Sequence, residues 1–386
     1  MSDTKLALPP PTFPSCKALS YALMGWMGSD WAAAKFITTY GADVMAEVAL
    51  VQRVVTLANG MSATYWMREG VKAAGAASPP AILVLPGLRE KVFPAARLAQ
   101  TLGMPTATVY VVDLPTCGGH CLPVVGEQSD PVPSGAFSRH PVRVAAACEL
   151  LKGLIDHLGL SSRTAAGSGF VLLGFSTGAH VAYSFAASHA AALPLRGLGL
   201  IHPAGHCLAD SLLDVIAADK MDAFPFAFES AAQCRNLYFE QCGGIMDPGD
   251  WVFRGDEYVA KTSFPPNYWR RLCETWAEDY KPIADARARG QPQAAAELAT
   301  ELAAVRASGL PTIVLGSSGD VVCSAAKMES DLAPALGAEY LTLPNGGGHI
   351  FYNDAGNNGS VYDLAGPVLA AWMAQKVAGN GGGEKA

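Results

Sequence analysis

A chain of 386 residues, half of them hydrophobic, can bury a large core and carry more than one domain or a sizeable insertion. Its net charge is −7, from 27 basic and 34 acidic residues with no long run of either sign. That balance lacks the electrostatic footprint of a nucleic-acid or anionic-membrane binder, so neither is an expected partner.

No stretch approaches the roughly 18 apolar residues of a membrane span, so none is expected. The opening Met1-Ser2-Asp3-Thr4-Lys5 leads into prolines, without the basic-then-apolar order of a secretory signal. A cytoplasmic location follows as an expectation. The nine cysteines are scattered and odd in number. Cys117-Gly118-Gly119-His120-Cys121 is the one cluster, and no second ligand pair at zinc-site spacing accompanies it. The expectation is reduced buried thiols, with no metal and no cofactor.

Residues 1–16 are proline-rich and read as an irregular arm. Residues 17–50 carry Tyr21, Leu23, Trp26, Trp31, Phe36 and Val44 at helical spacing, predicting one or two helices broken near Gly28 and Gly41. Residues 51–57 and 63–68 predict two strands joined at Asn59-Gly60, a hairpin signal. A continuous apolar strand over 81–85 ends at Pro86-Gly87-Leu88-Arg89, and 90–102 suits a helix. A strand over 106–112 closes on Asp113, and 142–158 reads as a helix.

The central stretch is Gly169 to His180, G-F-V-L-L-G-F-S-T-G-A-H. An apolar strand is followed at once by Gly174-Phe175-Ser176-Thr177-Gly178 and then by an Ala-rich helix over 179–191. Strand, G-x-S-x-G, helix is the context of a nucleophile elbow. The turn is too tight for Cβ atoms beside it, hence a glycine two residues either side of the serine. Ser176 is the expected nucleophile.

A strand over 195–201 ends at His202-Pro203. From 204 to 306 the strand–helix alternation breaks, and helical stretches carry many aromatics, among them Phe224, Tyr238, Trp251, Trp269 and Trp276. A strand over 312–315 ends near Gly319-Asp320. A helix over 325–336, a strand over 339–343, a loop ending in His349 and a closing helix over 362–376 complete the order. Apolar strands alternating with helices predict an α/β fold, a mostly parallel doubly wound sheet covered on both faces.

A serine hydroxyl needs a base within hydrogen-bond reach, itself oriented by a carboxylate. Strand ends of a parallel sheet converge on one edge, so both partners should follow later strands. Asp320 and His349 occupy such positions. His202, which also ends a strand, is the rival base, and Asp210 and Asp214 are rival acids. For the oxyanion, the expected donors are the backbone N–H of Thr177 and that of Leu88 in the loop after the third strand. Arg89, Glu90 and Lys91 beside it read as a solvated first helical turn.

These residues resemble the α/β-hydrolase superfamily over roughly 51–203 and 307–377. Leu85-Pro86-Gly87-Leu88 stands where many members have His-Gly, and 113–121, D-L-P-T-C-G-G-H-C, is similar to their D-x-P-G-x-G-x-S loop. Three departures stand out: Pro86 for histidine, an expanded loop ending in Cys121, and N-terminal helices matching no subfamily pattern. Serine at 176 argues against the dehalogenases and epoxide hydrolases, which use aspartate there. The resemblance implies a helical cap at 204–306, and with it five regions: 1–50, 51–203, 204–306, 307–377 and a tail at 378–386.

The expected activity is hydrolysis of an ester or related acyl bond of a partly apolar small molecule, through an acyl-enzyme. An acyltransferase or lyase using the same triad, or a ligand-binding receptor with a vestigial site, are the alternatives. Neither the substrate nor the oligomeric state is legible in the sequence.

Overall fold

The computed structural model describes residues 49–71, 79–87, 92–112, 114, 143–162, 169–218, 268–290, 293–320, 322–344, 349, 351–354 and 357–377. The predicted helices over 17–50 as far as residue 48, Leu88 to Lys91, the 115–121 cluster with Asp113, the aromatics between 219 and 267 and the tail lie outside these residues.

The sheet begins with an antiparallel pair, β1 (Val51–Thr56) and β2 (Ser62–Arg68), whose register runs from Val51↔Met67 to Thr56↔Ser62. The intervening turn uses Gly60 at φ 81°, and Met61 N–H donates to Asn59 Oδ1 at 3.1 Å. Next come β3 (Ala81–Leu85), α1 (Val92–Thr101), β4 (Val109–Val112), α2 (Arg143–His157), β5 (Phe170–Phe175), α3 (Thr177–His189) and β6 (Leu195–Ile201). After β6 stand α4 (Asp210–Ala217), α5 (Tyr268–Ala288) and α6 (Gln293–Ala307). The chain then forms β7 (Thr312–Gly316), α7 (Ala325–Leu336, with a wider turn at Met328–Leu332), β8 (Glu339–Thr342) and α8 (Val361–Trp372).

The eight strands lie in the order β1-β2-β4-β3-β5-β6-β7-β8. β2 runs antiparallel to both neighbours, and β4 through β8 are parallel. This is the mostly parallel doubly wound sheet expected. Every residue of β3, β4, β5 and β7 is buried, which requires cover on both faces and explains their unbroken apolar runs. α1 packs against α8, while α2 and α6 pack against α3 and α6 also meets α7.

β5 sits beside β3 rather than β4, so chain order reverses between them. Such a switch point opens a crevice beyond the strands' carboxyl ends, where ligands of open α/β sheets bind. A separate hairpin, β9 (Phe351–Asp354) with β10 (Asn357–Ser360), links the segment after β8 to α8. No described helix is long and apolar enough to cross a membrane.

Candidate active site

Ser176 stands between β5 and α3 with φ 52° and ψ −117°, outside the regions ordinary side chains favour. The surroundings hold it there. Its N–H donates to Ile201 O of β6 at 2.9 Å, and its carbonyl accepts from Ala179, His180 and Ala204 at 3.0–3.2 Å. The flanking glycines are steric necessities. A Cβ on Gly174 would lie 2.5 Å from Ala179 Cα, and one on Gly178 would lie 2.2 Å from Leu85 O. Gly87 of the loop after β3 also approaches closely, against side chains: its Cβ would meet Phe175 Cδ1 at 2.8 Å and Ser176 Cβ at 3.2 Å. The loop after β3 and the serine thus meet at the switch point. Thr177, the first residue of α3, is fully buried.

His349, from beyond β8, brings Nε2 to 2.9 Å from Ser176 Oγ and Nδ1 to 2.8 Å from Asp320 Oδ2. Asp320 lies in the turn after β7, and its Oδ1 accepts the N–H groups of Val322 and Cys323 at 2.8 and 2.9 Å. A carboxylate only accepts, so Nδ1 of His349 carries the proton and Nε2 is left to accept from the serine hydroxyl. Burial pushes the Asp320 carboxyl up, but His349, His202 and the Cys323 N–H outweigh it and hold the group below its ordinary value. Asp320 is therefore ionised at neutral pH. The ring of Phe175 backs the imidazole at 5.1 Å between centroids and meets Tyr362 at 5.3 Å. All three polar side chains are buried, so their hydrogen bonds face little competition from water.

The structure thus brings Ser176, Asp320, His349 and Thr177 to one point. Leu88, the other expected oxyanion donor, lies outside the described residues. The rival acids are engaged elsewhere: exposed Asp210 pairs with Lys327 at 2.6 Å and Arg287 at 3.0 Å, and exposed Asp214 pairs with Arg287. His202, the rival base, meets His349 O and Ser317 Oγ through its ring nitrogens. His180, one turn past the serine, packs under the elbow, stacked on Tyr183 and 3.1 Å from Tyr280 OH of α5.

One cluster has the makings of a metal site among the described residues, with ligand atoms of His202, Asp320 and His349 within 4.8 Å of one another. Those atoms already bond to one another or to the His349 carbonyl, and a metal there would break the bonds that orient the imidazole. Described Cys148, Cys207 and Cys323 are free thiols, and burial pushes Cys148 up to about 12.

Sequence reasoning did not find Ser317 or the partners of His202. Their one signal was a histidine placed directly at the end of β6.

No protein-family model matches this chain, and no curated protein does. Solved structures do. A membrane phospholipase A, described as a bacterial virulence factor, superposes with a TM-score of 0.55 at 17% identity, over 91% of this chain and 93% of its own. A protein described as a lipase, from Acinetobacter baumannii, superposes with a TM-score of 0.57 at 15% identity, over 89% and 97% of the two chains. At such identities a shared fold is what the likeness establishes.

Proposed function

From the α/β-hydrolase fold that this chain adopts, we propose that it is a serine hydrolase cleaving esters or related acyl bonds. The observation that carries the reading is the unbroken hydrogen-bond chain Ser176–His349–Asp320 at the carboxyl ends of β5, β8 and β7. In this reading His349 Nε2 takes the serine proton as Oγ attacks the carbonyl carbon. Asp320 holds the tautomer and stabilises the imidazolium. The backbone N–H groups of Thr177 and Leu88 receive the charge developing on the carbonyl oxygen. His349 then delivers its proton to the departing alcohol, and the acyl group stays on Ser176. Water, deprotonated by the same imidazole, releases the acid and restores the serine.

A substrate with an apolar part fits two observations: the aromatics between 204 and 306, and a fold likeness to proteins described as a phospholipase A and a lipase. The insertion at 204–306 is read as the cap that shapes the pocket. Its described portions, α4, α5 and α6, pack on one another or on the core.

The test is labelling by a fluorophosphonate, followed by turnover of p-nitrophenyl esters of graded chain length, with Ser176→Ala alongside. Labelling with turnover, both lost in Ser176→Ala, is the expected result, with kcat lower by about 10⁴–10⁶. Labelling without turnover would favour acyl transfer or a receptor. A folded Ser176→Ala protein that keeps a tenth of the wild-type rate would remove Ser176 from the mechanism.

A further inference from the structure

A second buried histidine touches the main chain of the base. His202 follows β6 directly, with φ 45° and its N–H donating to Leu315 O of β7 at 2.8 Å. Its side chain is fully buried. Nδ1 lies 2.7 Å from the backbone oxygen of His349 and 3.4 Å from Asp320 Oδ2, and Nε2 lies 2.8 Å from Ser317 Oγ. The partners decide the tautomer. Carbonyl and carboxylate oxygens only accept, so Nδ1 carries the proton, and the bare Nε2 accepts from the Ser317 hydroxyl. The ring is neutral at working pH: burial, aided by His349, drives its pKa down to about 4 despite the Asp320 carboxylate.

Ser317 Oγ–H to His202, then His202 Nδ1–H to His349 O, is a polar relay from the turn after β7 to the base's own backbone. Among the described residues, the His202 bond is the one that holds the main chain of His349. The imidazole must meet Ser176 Oγ on one side and Asp320 on the other at once. A displacement of about 1 Å at a reacting group can cost on the order of 10²-fold in rate.

We propose that His202 is a positioning residue for the proposed reaction, its Nδ1–H fixing the His349 carbonyl and hence the depth at which the imidazole meets Ser176 and Asp320. The inference rests on the Ser176–His349–Asp320 reading. It also assigns the left-handed backbone at 202: that conformation turns the ring back under the base instead of continuing β6.

Two neutral substitutions separate the two ends of the ring. In His202→Asn the amide nitrogen stands where Nδ1 stood, and asparagine tolerates positive φ. In His202→Gln the amide stands near the Nε2 position and reaches Ser317 instead of His349. With p-nitrophenyl ester turnover as the assay, His202→Asn should stay within about 3-fold of wild type. His202→Gln should lose roughly 10²-fold in kcat with KM little changed. Equal kcat values for the two variants overturn the proposal, as does a loss confined to KM. Should His202→Gln fail to fold, Ser317→Ala decides: a several-fold fall in kcat supports the relay, and an unchanged kcat overturns it. Ser176→Ala, run in parallel, keeps the two readings apart. If it retains turnover, the triad reading fails. If it is dead while His202→Gln matches wild type, only the positioning role fails.

Discussion

Asp320 has both carboxylate oxygens committed, one to two backbone N–H groups and the other to His349 Nδ1. An amide in its place could keep one set of partners but not both. The oxygen of Asp320→Asn would stay on the Val322 and Cys323 N–H groups, turning its NH₂ towards the imidazole. Nδ1 would then have to accept, the proton would move to Nε2, and the serine would lose its base. Asp320→Asn should therefore lower kcat by about 10⁴ with KM little changed, measured as ester turnover on folded protein. Turnover within tenfold of wild type would mean that tautomer control comes from elsewhere. Ser176, Asp320 and His349 were legible as candidates because each comes after a strand of the sheet, buried in β5 and β7 and part-exposed in β8, and one sheet edge gathers strand ends whatever their distance in sequence. The task of His202 was not legible. A histidine after β6 reads equally as base or packing until the carbonyl of His349, 147 positions away, is seen beside it.

The strand–turn–helix unit of β5 and α3 brings Ser176, the proposed nucleophile, to the loop after β3, and its tightness is set by Gly178. A Cβ there would lie 2.2 Å from Leu85 O and 2.4 Å from Pro86 O, both backbone atoms that cannot rotate away. Gly178→Ala must push α3 off β3 or reshape the elbow. The expected loss of stability is about 1–3 kcal/mol, as for other overpacked sites. Labelling by a fluorophosphonate should fall far more than the unfolded fraction accounts for, because Thr177 moves with the turn. A variant that labels at the wild-type rate would show the elbow to be looser than this contact implies. Other elements were less legible for physical reasons. The hairpin of Phe351–Asp354 and Asn357–Ser360 reads F-Y-N-D and N-N-G-S, without β-branched residues or alternation, so it carries no strand signal. Helices α4, α5 and α6 come in succession with no described strand between them. Their sequences alone do not tell which lies on the core; α6 packs on α3, and Tyr280 of α5 is fully buried against His180.

Among the described residues, the folded state holds three deeply buried imidazoles that strongly resist protonation; the pKa of partly buried His189 is also lowered, by burial first. Burial drives His180 to about 3, His206 to about 3, with His180 adding to the effect, and His202 to about 4. In the unfolded chain each returns to about 6.5. The sign follows from proton counting. Between about pH 6.5 and 4 the unfolded state binds protons that the native state refuses, so stability falls as pH drops through that window. Asp320 is a depressed carboxylate, and its contribution is lost only below the ordinary carboxylate range, so it stays constant over the same window. At pH 5.5 each histidine costs about 1.4 kcal/mol, and the three together cost roughly 4 kcal/mol. That is a large share of the ~5–15 kcal/mol by which domains are stable. With an unfolding entropy of about 2.1 cal/mol/K per residue, the melting midpoint should fall by about 5 °C between pH 7.5 and 5.5. His180→Gln, which keeps a polar partner for Tyr280 but cannot titrate, should shrink that fall by about a third. A midpoint that does not move between pH 7.5 and 5.5 would mean that these imidazoles gain protons in the native state. The hydrogen bonds drawn for His202, whose Nε2 must stay bare to accept from Ser317, would then be wrong as well.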